Sequence, residues 1–408
     1  MNARRIVVLG TLDTKGEQVG FLKDCIEKRG HKAIVVDLSM GGAPLFRAEV
    51  TPEEIAQAGG KTLEQVSALG NRAAMTEIME KGAAEKIGEL LVQGNVQGII
   101  AVGGISMALM GSHIMRVAPF GIPKIIVCPA AMPAYVGQWF GTMDIAVMQS
   151  ILEFAGLNDL LKNALARAAG AICGMAEEIP PIKELKLPKG SIAITQFGFS
   201  ENCARYVREY LEEIGYTVLP FHAQGVSDQA MDNLIEQGFF DGVIDIVPAG
   251  VIEEIFEGNR PAGPNRLEAA GKRGIPQVIA PCSINLTGCG PTRKHPERYE
   301  GRPTIKIDEL RAVTRYSTDE MVAAAKIYAE KLNNAKGPVK IIFPLRGWSS
   351  FDREGSVLYN PKEDMVFVKE LKEQLKPAIE TEEIDYNLED PAYARALVHS
   401  LDAMMKNR

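Results

Sequence analysis

Ile6-Val7-Val8-Leu9-Gly10, a helical stretch to Gly30, then Ala33-Ile34-Val35-Val36-Asp37: this opening decides the fold, because the chain writes it twice. Ser191-Ile192-Ala193-Ile194-Thr195, a helical stretch to Gly215, then Tyr216-Thr217-Val218-Leu219 form the second copy. Further along, Gln97-Gly98-Ile99-Ile100-Ala101-Val102 matches Asp241-Gly242-Val243-Ile244-Asp245-Ile246. Gly121-Ile122-Pro123-Lys124-Ile125-Ile126-Val127 likewise matches Gly274-Ile275-Pro276-Gln277-Val278-Ile279. Short apolar runs between amphipathic helices specify parallel strands covered on both faces. The expectation is an α/β protein of two tandem Rossmann-like, doubly wound parallel-sheet domains. Ligands of such sheets collect beyond the carboxyl ends of the strands, so the tandem predicts an interdomain cleft lined by those loops.

The first domain is expected over 1–180, as the nucleotide- or phosphate-binding half, and the second over 186–408, as the substrate side. Between them, Ile179-Pro180-Pro181-Ile182-Lys183 through Leu187-Pro188-Lys189-Gly190 reads as a linker, since its prolines stop helices and favour an extended crossing. The first domain carries an insertion between Leu38 and about Gly70, rich in Gly, Pro and acidic residues, suited to a cap or an oligomer contact. Late helices are expected near 143–154 and 158–169. The second domain adds helices near 318–333, 361–375 and 391–405 and a strand at 339–343.

Composition narrows the function classes. The 408 residues are 46% hydrophobic and 24% charged, with a net charge of -7, which leaves no basic footprint for a nucleic acid. No apolar run approaches the roughly 18 residues of a membrane helix. The first residues enter a strand without a basic and apolar leader, so a cytoplasmic location is expected. The six cysteines are scattered with no C-x-x-C pair, which predicts reduced thiols.

Several loops carry groups that could hold an anion. Gly10-Thr11-Leu12-Asp13-Thr14-Lys15-Gly16 lies between the opening strand and its helix, where backbone N–H groups and the helix dipole favour negative charge. Its spacing is neither a Walker loop nor G-x-G-x-x-G. Gly103-Gly104-Ile105-Ser106 follows the third strand, with glycines that let the backbone approach a ligand. The nearly uncharged loop from Cys128 continues through Gly141-Thr142-Met143 to Asp144, either a magnesium ligand or a helix cap. In the second domain Cys282 is a candidate nucleophile with His222 as its base. Arg346-Gly347, after the strand at 339–343, suits a carboxylate or phosphate, its alternative being an ion pair to a neighbour such as Asp352.

Taken together, these segments resemble an uncharacterised bacterial and fungal family that shares its fold with the ATP-binding N-terminal region of the tomato mosaic virus resistance protein. The resemblance rests on Leu12-Asp13-Thr14-Lys15-Gly16-Glu17, Ala155-Gly156-Leu157-Asn158 and Gly238-Phe239-Phe240-Asp241-Gly242-Val243. Ala262-Gly263-Pro264-Asn265-Arg266-Leu267-Glu268 and Pro344-Leu345-Arg346-Gly347 extend it. It implies two Rossmann-like domains, a homo-oligomer such as a dimer, and binding of a nucleotide such as ATP through the first domain, to which Asp144 would add Mg2+. The chain departs from the family pattern at Ile105-Ser106-Met107-Ala108, where relatives carry a second glycine pair and a threonine. A small anionic metabolite acted on in the cleft, or a binding module without turnover, are the competing expectations.

Overall fold

The computed structural model describes residues 3–131, 137, 139–178 and 187–407. The chain divides into two compact units, Met1–Leu185 and Lys186–Arg408. Most of the proline-rich linker, 179–186, lies outside the described residues.

Unit 1 is built on β1 (Arg5–Gly10), β2 (Lys32–Asp37), β3 (Gly98–Val102), β4 (Lys124–Cys128) and β5 (Ile145–Gln149). The strands are all parallel, in the order β2-β1-β3-β4-β5. Its helices are α1 (Leu12–Glu27), α2 (Pro52–Ala58), α3 (Leu63–Ser67), α4 (Arg72–Val92), α5 (Ile105–Met115) and α6 (Asp159–Glu178). The two-residue period of a strand explains why both faces are apolar. Val7 and Leu9 enter one core with Met79, Ala83 and Met107, from α4 and α5. Ile6 and Val8 enter another with Val19, Leu22, Leu161 and Leu165, from α1 and α6. On α6 the buried stripe Leu161, Leu165, Ala168, Ile172, Ala176 follows helical spacing, each buried leucine contributing about 2 kcal/mol.

Unit 2 repeats the plan with β6 (Ser191–Gln196), β7 (Thr217–His222), β8 (Gly242–Asp245) and β9 (Gln277–Ile279). A small antiparallel sheet of β10 (Leu286–Gly288), β11 (Thr304–Lys306) and β12 (Ala312–Arg315) follows, then β13 (Val339–Pro344) and β14 (Glu380–Ile384). The large parallel sheet reads β7-β6-β8-β9-β13-β14, the order of unit 1 with one strand added. Helices α7 (Glu201–Glu213), α8 (Val226–Glu236), α9 (Gly250–Ile255), α10 (Ala269–Arg273), α11 (Thr318–Asn333), α12 (Pro361–Gln374) and α13 (Pro391–Lys406) accompany it. α11 starts at Ser317, whose side chain accepts from the Glu320 N–H in a capping box.

One expectation needs correction, and one strand was not expected. The helix expected near 143–154 is the edge strand β5, paired with β4 along its whole length. Strand β14, Glu380-Thr381-Glu382-Glu383-Ile384, has no apolar alternation; it is an edge strand whose acids discourage further pairing.

Candidate ligand sites at the strand ends

In unit 1 the strand order reverses between β1 and β3, since β1 passes to β2 on one side and the chain returns to β3 on the other. Leu9 lies opposite Ala101, so the loops after these strands leave the sheet side by side. That is where an open doubly wound sheet leaves a crevice.

The first loop is occupied by its own residues. Asp37, at the carboxyl end of β2, accepts through Oδ1 from the Leu12 N–H (3.0 Å), the Ser39 N–H (3.0 Å) and the Ser39 hydroxyl (2.5 Å). Ser39 Oγ in turn accepts from the Asp13 N–H at 3.2 Å. The Thr11 and Thr14 hydroxyls bond each other at 2.9 Å, and Lys15 Nζ donates to the Phe154 carbonyl at 2.7 Å. Lys15 breaks the helix at φ -128°, ψ 20°, so regular helix begins at Gly16. Gly16 is required by packing, because a Cβ there would lie 2.5 Å from Leu45 Cβ of the insertion. Within the cradle expected at Thr11–Gly16, the N–H groups of Leu12 and Asp13 already have protein acceptors.

The second loop is open. Gly104 is the N-cap of α5 and brings no side-chain bond to the first turn, while Ile105 and Ser106 are exposed. A Cβ on Gly104 would meet nothing within 4 Å, whereas one on Gly103 would lie 2.7 Å from Met107. An uncapped first turn presents N–H groups and the positive end of the helix dipole. At the end of β2 the insertion roofs a cavity of about 440 Å³, lined by Asp37, Ser39, Gly42, Phe46, Arg47 and Thr51 among others. Asp37 is 1% exposed, and its Oδ2 has no hydrogen-bond partner.

Gly141, Thr142 and Asp144 are not part of this site. They run into β5, whose Ile145 pairs with Lys124, and so lie at the amino edge of the sheet, opposite the two loops. Asp144 Oδ1 takes the buried Lys124 ammonium at 2.7 Å, and Oδ2 accepts from the Gly121 N–H at 2.7 Å. Lys124 also donates to the Pro119 and Ile122 carbonyls, both at 2.9 Å, and burial lowers its pKa against the pull of Asp144. Asp144 is thus the counter-ion of Lys124, and it caps no helix because β5 follows it. Among the described residues no group of three or more His, Cys, Asp or Glu side chains is placed to hold a metal. Residues 132–136 and 138 of the loop before it lie outside the described ones.

In unit 2 the structure does not bring Cys282 and His222 together. Cys282 follows β9 and His222 ends β7, and two strands lie between these, which are about 14 Å apart at the usual sheet spacing. Cys282 is buried, which pushes its thiol up to about 12, and His222 is exposed at the sheet rim. Arg346 pairs with Asp385, not Asp352, through Nε (2.8 Å) and Nη2 (2.6 Å). Gly347, at φ +100°, is a turn residue: a Cβ there would strike the Asp352 carbonyl at 1.8 Å.

Two buried ionic groups at the strand ends of unit 2 escaped the sequence reading. Arg266 lies 2.6 Å from Asp245 and 3.7 Å from both Asp228 and Asp232, tying the 260–268 segment to the sheet. Burial, reinforced by the neighbouring acids against the pull of Arg266, raises Asp232 to about 7. Beside this clamp, Glu253 takes Arg260 Nη2 at 2.9 Å and the Thr287 hydroxyl at 3.1 Å. An acid closing an apolar strand, as Asp37 and Asp245 do, was the one available signal; the arginines sit in loops without periodicity.

The geometry defines a class: a doubly wound α/β protein of two like units, with polar groups gathered where each strand order reverses. The chain belongs to the uncharacterised protein family UPF0261, whose N-terminal domain matches residues 4–181 and whose C-terminal domain matches 189–405. A UPF0261 protein of Clostridium tetani is 36% identical over 99% of both chains. The tomato protein described as ToMV resistance protein Tm-1(GCR237) is 26% identical over all of this chain, which spans 57% of that one. A solved UDP-GlcNAc 2-epimerase of Methanocaldococcus jannaschii aligns over 99% of this chain and 93% of its own at 10% identity and a TM-score of 0.25, too loose to carry an argument. No helix among the described residues is long and apolar enough to cross a membrane.

Proposed function

We propose that unit 1 binds a nucleoside phosphate, ATP or ADP, across the β1/β3 reversal point. One observation carries this reading. The uncapped amino end of α5 opens beside Gly104, while Asp37 at the end of β2, one of the residues lining the cavity, keeps a buried carboxylate oxygen without a partner. The phosphates take the N–H groups after Gly104, and a sugar hydroxyl donates to Asp37 Oδ2. Acids at the end of the second strand receive ribose in this manner in dinucleotide-binding folds. β2 and β3 flank β1, so the two anchors stand about 10 Å apart, a span that suits a mononucleotide. Magnesium enters as the counter-ion of the nucleotide phosphates.

Calorimetric titration with ATP and ADP, with and without magnesium, tests the reading. Gly104→Asp is the informative variant. Its side chain has room, caps the helix and adds about 1 kcal/mol of stability, yet sets a carboxylate where the phosphate would bind. The expected result is a higher unfolding midpoint with at least a tenfold loss of nucleotide affinity. No heat with wild-type protein at millimolar nucleotide, or equal affinity in the variant, refutes it.

A further inference from the structure

The Glu253 group of unit 2 has more donors than acceptors. Glu253 is 0% exposed, Tyr316 1%, Arg293 3% and Arg260 7%. Glu253 Oε1 accepts from Arg260 Nη2 and Thr287 Oγ1, and its Oε2 from the Arg260 N–H at 3.3 Å. Arg293 Nη2 donates to the Phe256 carbonyl at 2.9 Å and to the Tyr299 hydroxyl at 2.5 Å. After these bonds, Arg260 Nη1 and Arg293 Nε and Nη1 have no hydrogen-bond partner, and Tyr316 Oη has the Thr287 hydroxyl beside it but no close bond. All four can donate, and three belong to permanently charged guanidiniums. Two arginines against one glutamate leave a net charge of +1 in a buried space. A buried charge left unpaired is costly, and buried donors without acceptors add to that cost.

The location is where a ligand belongs. Arg260 lies over the Phe197 ring, 4.6 Å from its centroid, and Phe197 follows β6. Glu253 is on α9 after β8, so the group sits at the β6/β8 reversal, the counterpart of the unit 1 crevice. Two surface segments, around 256–260 and 290–299, each send one arginine inward. The exposed Glu257, facing Lys294 (3.7 Å) and His295 (3.6 Å), joins them from above. Glu257 (φ +51°) and His295 (φ +54°) both hold left-handed backbone, which non-glycine residues adopt at a cost.

The geometry points to a second ligand site here, for the carboxylate of a small organic monoacid. A monoanion supplies the missing acceptor oxygens and cancels the single excess charge; a neutral water does only the first, and a phosphate dianion overshoots the balance. This inference stands apart from the nucleotide site of unit 1.

Thermal unfolding of the full chain tests it, with acetate, pyruvate and lactate as probes against chloride at equal ionic strength, and inorganic phosphate as the contrast. At least one carboxylate raises the wild-type midpoint by a few degrees, because a ligand of the folded state stabilises it. Arg293→Gln abolishes that shift. Should Arg293→Gln fail to fold, Tyr316→Phe decides: it keeps the buried ring and removes one hydroxyl, so the fold survives while the shift falls by more than half. In Gly104→Asp the carboxylate shift persists, which separates this site from unit 1. Absence of any carboxylate shift, a shift unchanged in Tyr316→Phe, or a response to phosphate alone that Arg293→Gln removes, overturns the assignment.

Discussion

Single residues decide which loops are free to bind and which are already engaged. Asp37 and Asp13 both stand near the first loop and each keeps a buried oxygen without a partner, but Asp37 also holds the Leu12 and Ser39 N–H groups. The sequence marked Lys15, Thr11 and Thr14, because polar residues between strand and helix suggest an anion. It passed over Asp37, since the partner of a strand-end acid becomes visible only when β1 and β2 are in register. Asp144 teaches the reverse lesson: an exposed-looking acid proved to be the counter-ion of Lys124, which is 1% exposed. Asp144→Ala leaves that ammonium unpaired and lowers stability by about 3 kcal/mol, read as a lower urea midpoint at unchanged slope. Restoration of stability in Asp144→Ala with Lys124→Met supports the pair; no loss in the single variant contradicts it. Thiol reactivity follows burial in the same way. Native-state alkylation at pH 8 modifies the half-buried Cys25 and Cys289 first, and Cys282 only on unfolding, with peptide mass spectrometry as the readout.

At the scale of elements, the buried strands and amphipathic helices were legible, and the edges were not. β1, β3 and β4 are apolar because both faces are covered. β5 and β14 are covered less, so their sequences carry half the signal or none. The small β10-β12-β11 sheet was invisible for another reason: its strands are three or four residues long, too short for a period to show. The Arg266 clamp that pins the 260–268 segment gives an element-scale prediction in pH. Asp232 binds its proton more tightly folded (about 7) than at its ordinary value of 3.8. Between those two values the folded state holds more protons than the unfolded, so stability falls as pH rises through that window and levels off above about 7. The slope from this one group approaches at most about 1.4 kcal/mol per pH unit. Urea midpoints measured from pH 4 to 8 should show the decline, and Asp232→Asn should flatten it; an unchanged slope in the variant rules this origin out.

Over the whole molecule, the duplicated sequence became a duplicated strand order, β2-β1-β3-β4-β5 and β7-β6-β8-β9-β13. The helix after the first strand takes a carboxylate in both units, Asp37 on the Leu12 N–H (3.0 Å) in unit 1 and Glu389 on the Asn202 and Cys203 N–H groups (3.2 and 3.3 Å) in unit 2. A carboxylate there excludes phosphate by charge as well as by place. The first turn of α5 is exposed at Ile105 and Ser106 while that of its counterpart α9 is buried, so phosphate is predicted to stabilise the chain through α5, with a thermal shift that disappears in Gly104→Asp and is unaffected by Glu389→Gln. The most direct measurement is a crystal structure with ADP bound. The account predicts the diphosphate on the N–H groups of Ile105 and Ser106 and a ribose hydroxyl on Asp37 Oδ2. A nucleotide whose phosphates lie elsewhere, with Asp37 Oδ2 still unbonded, would contradict it.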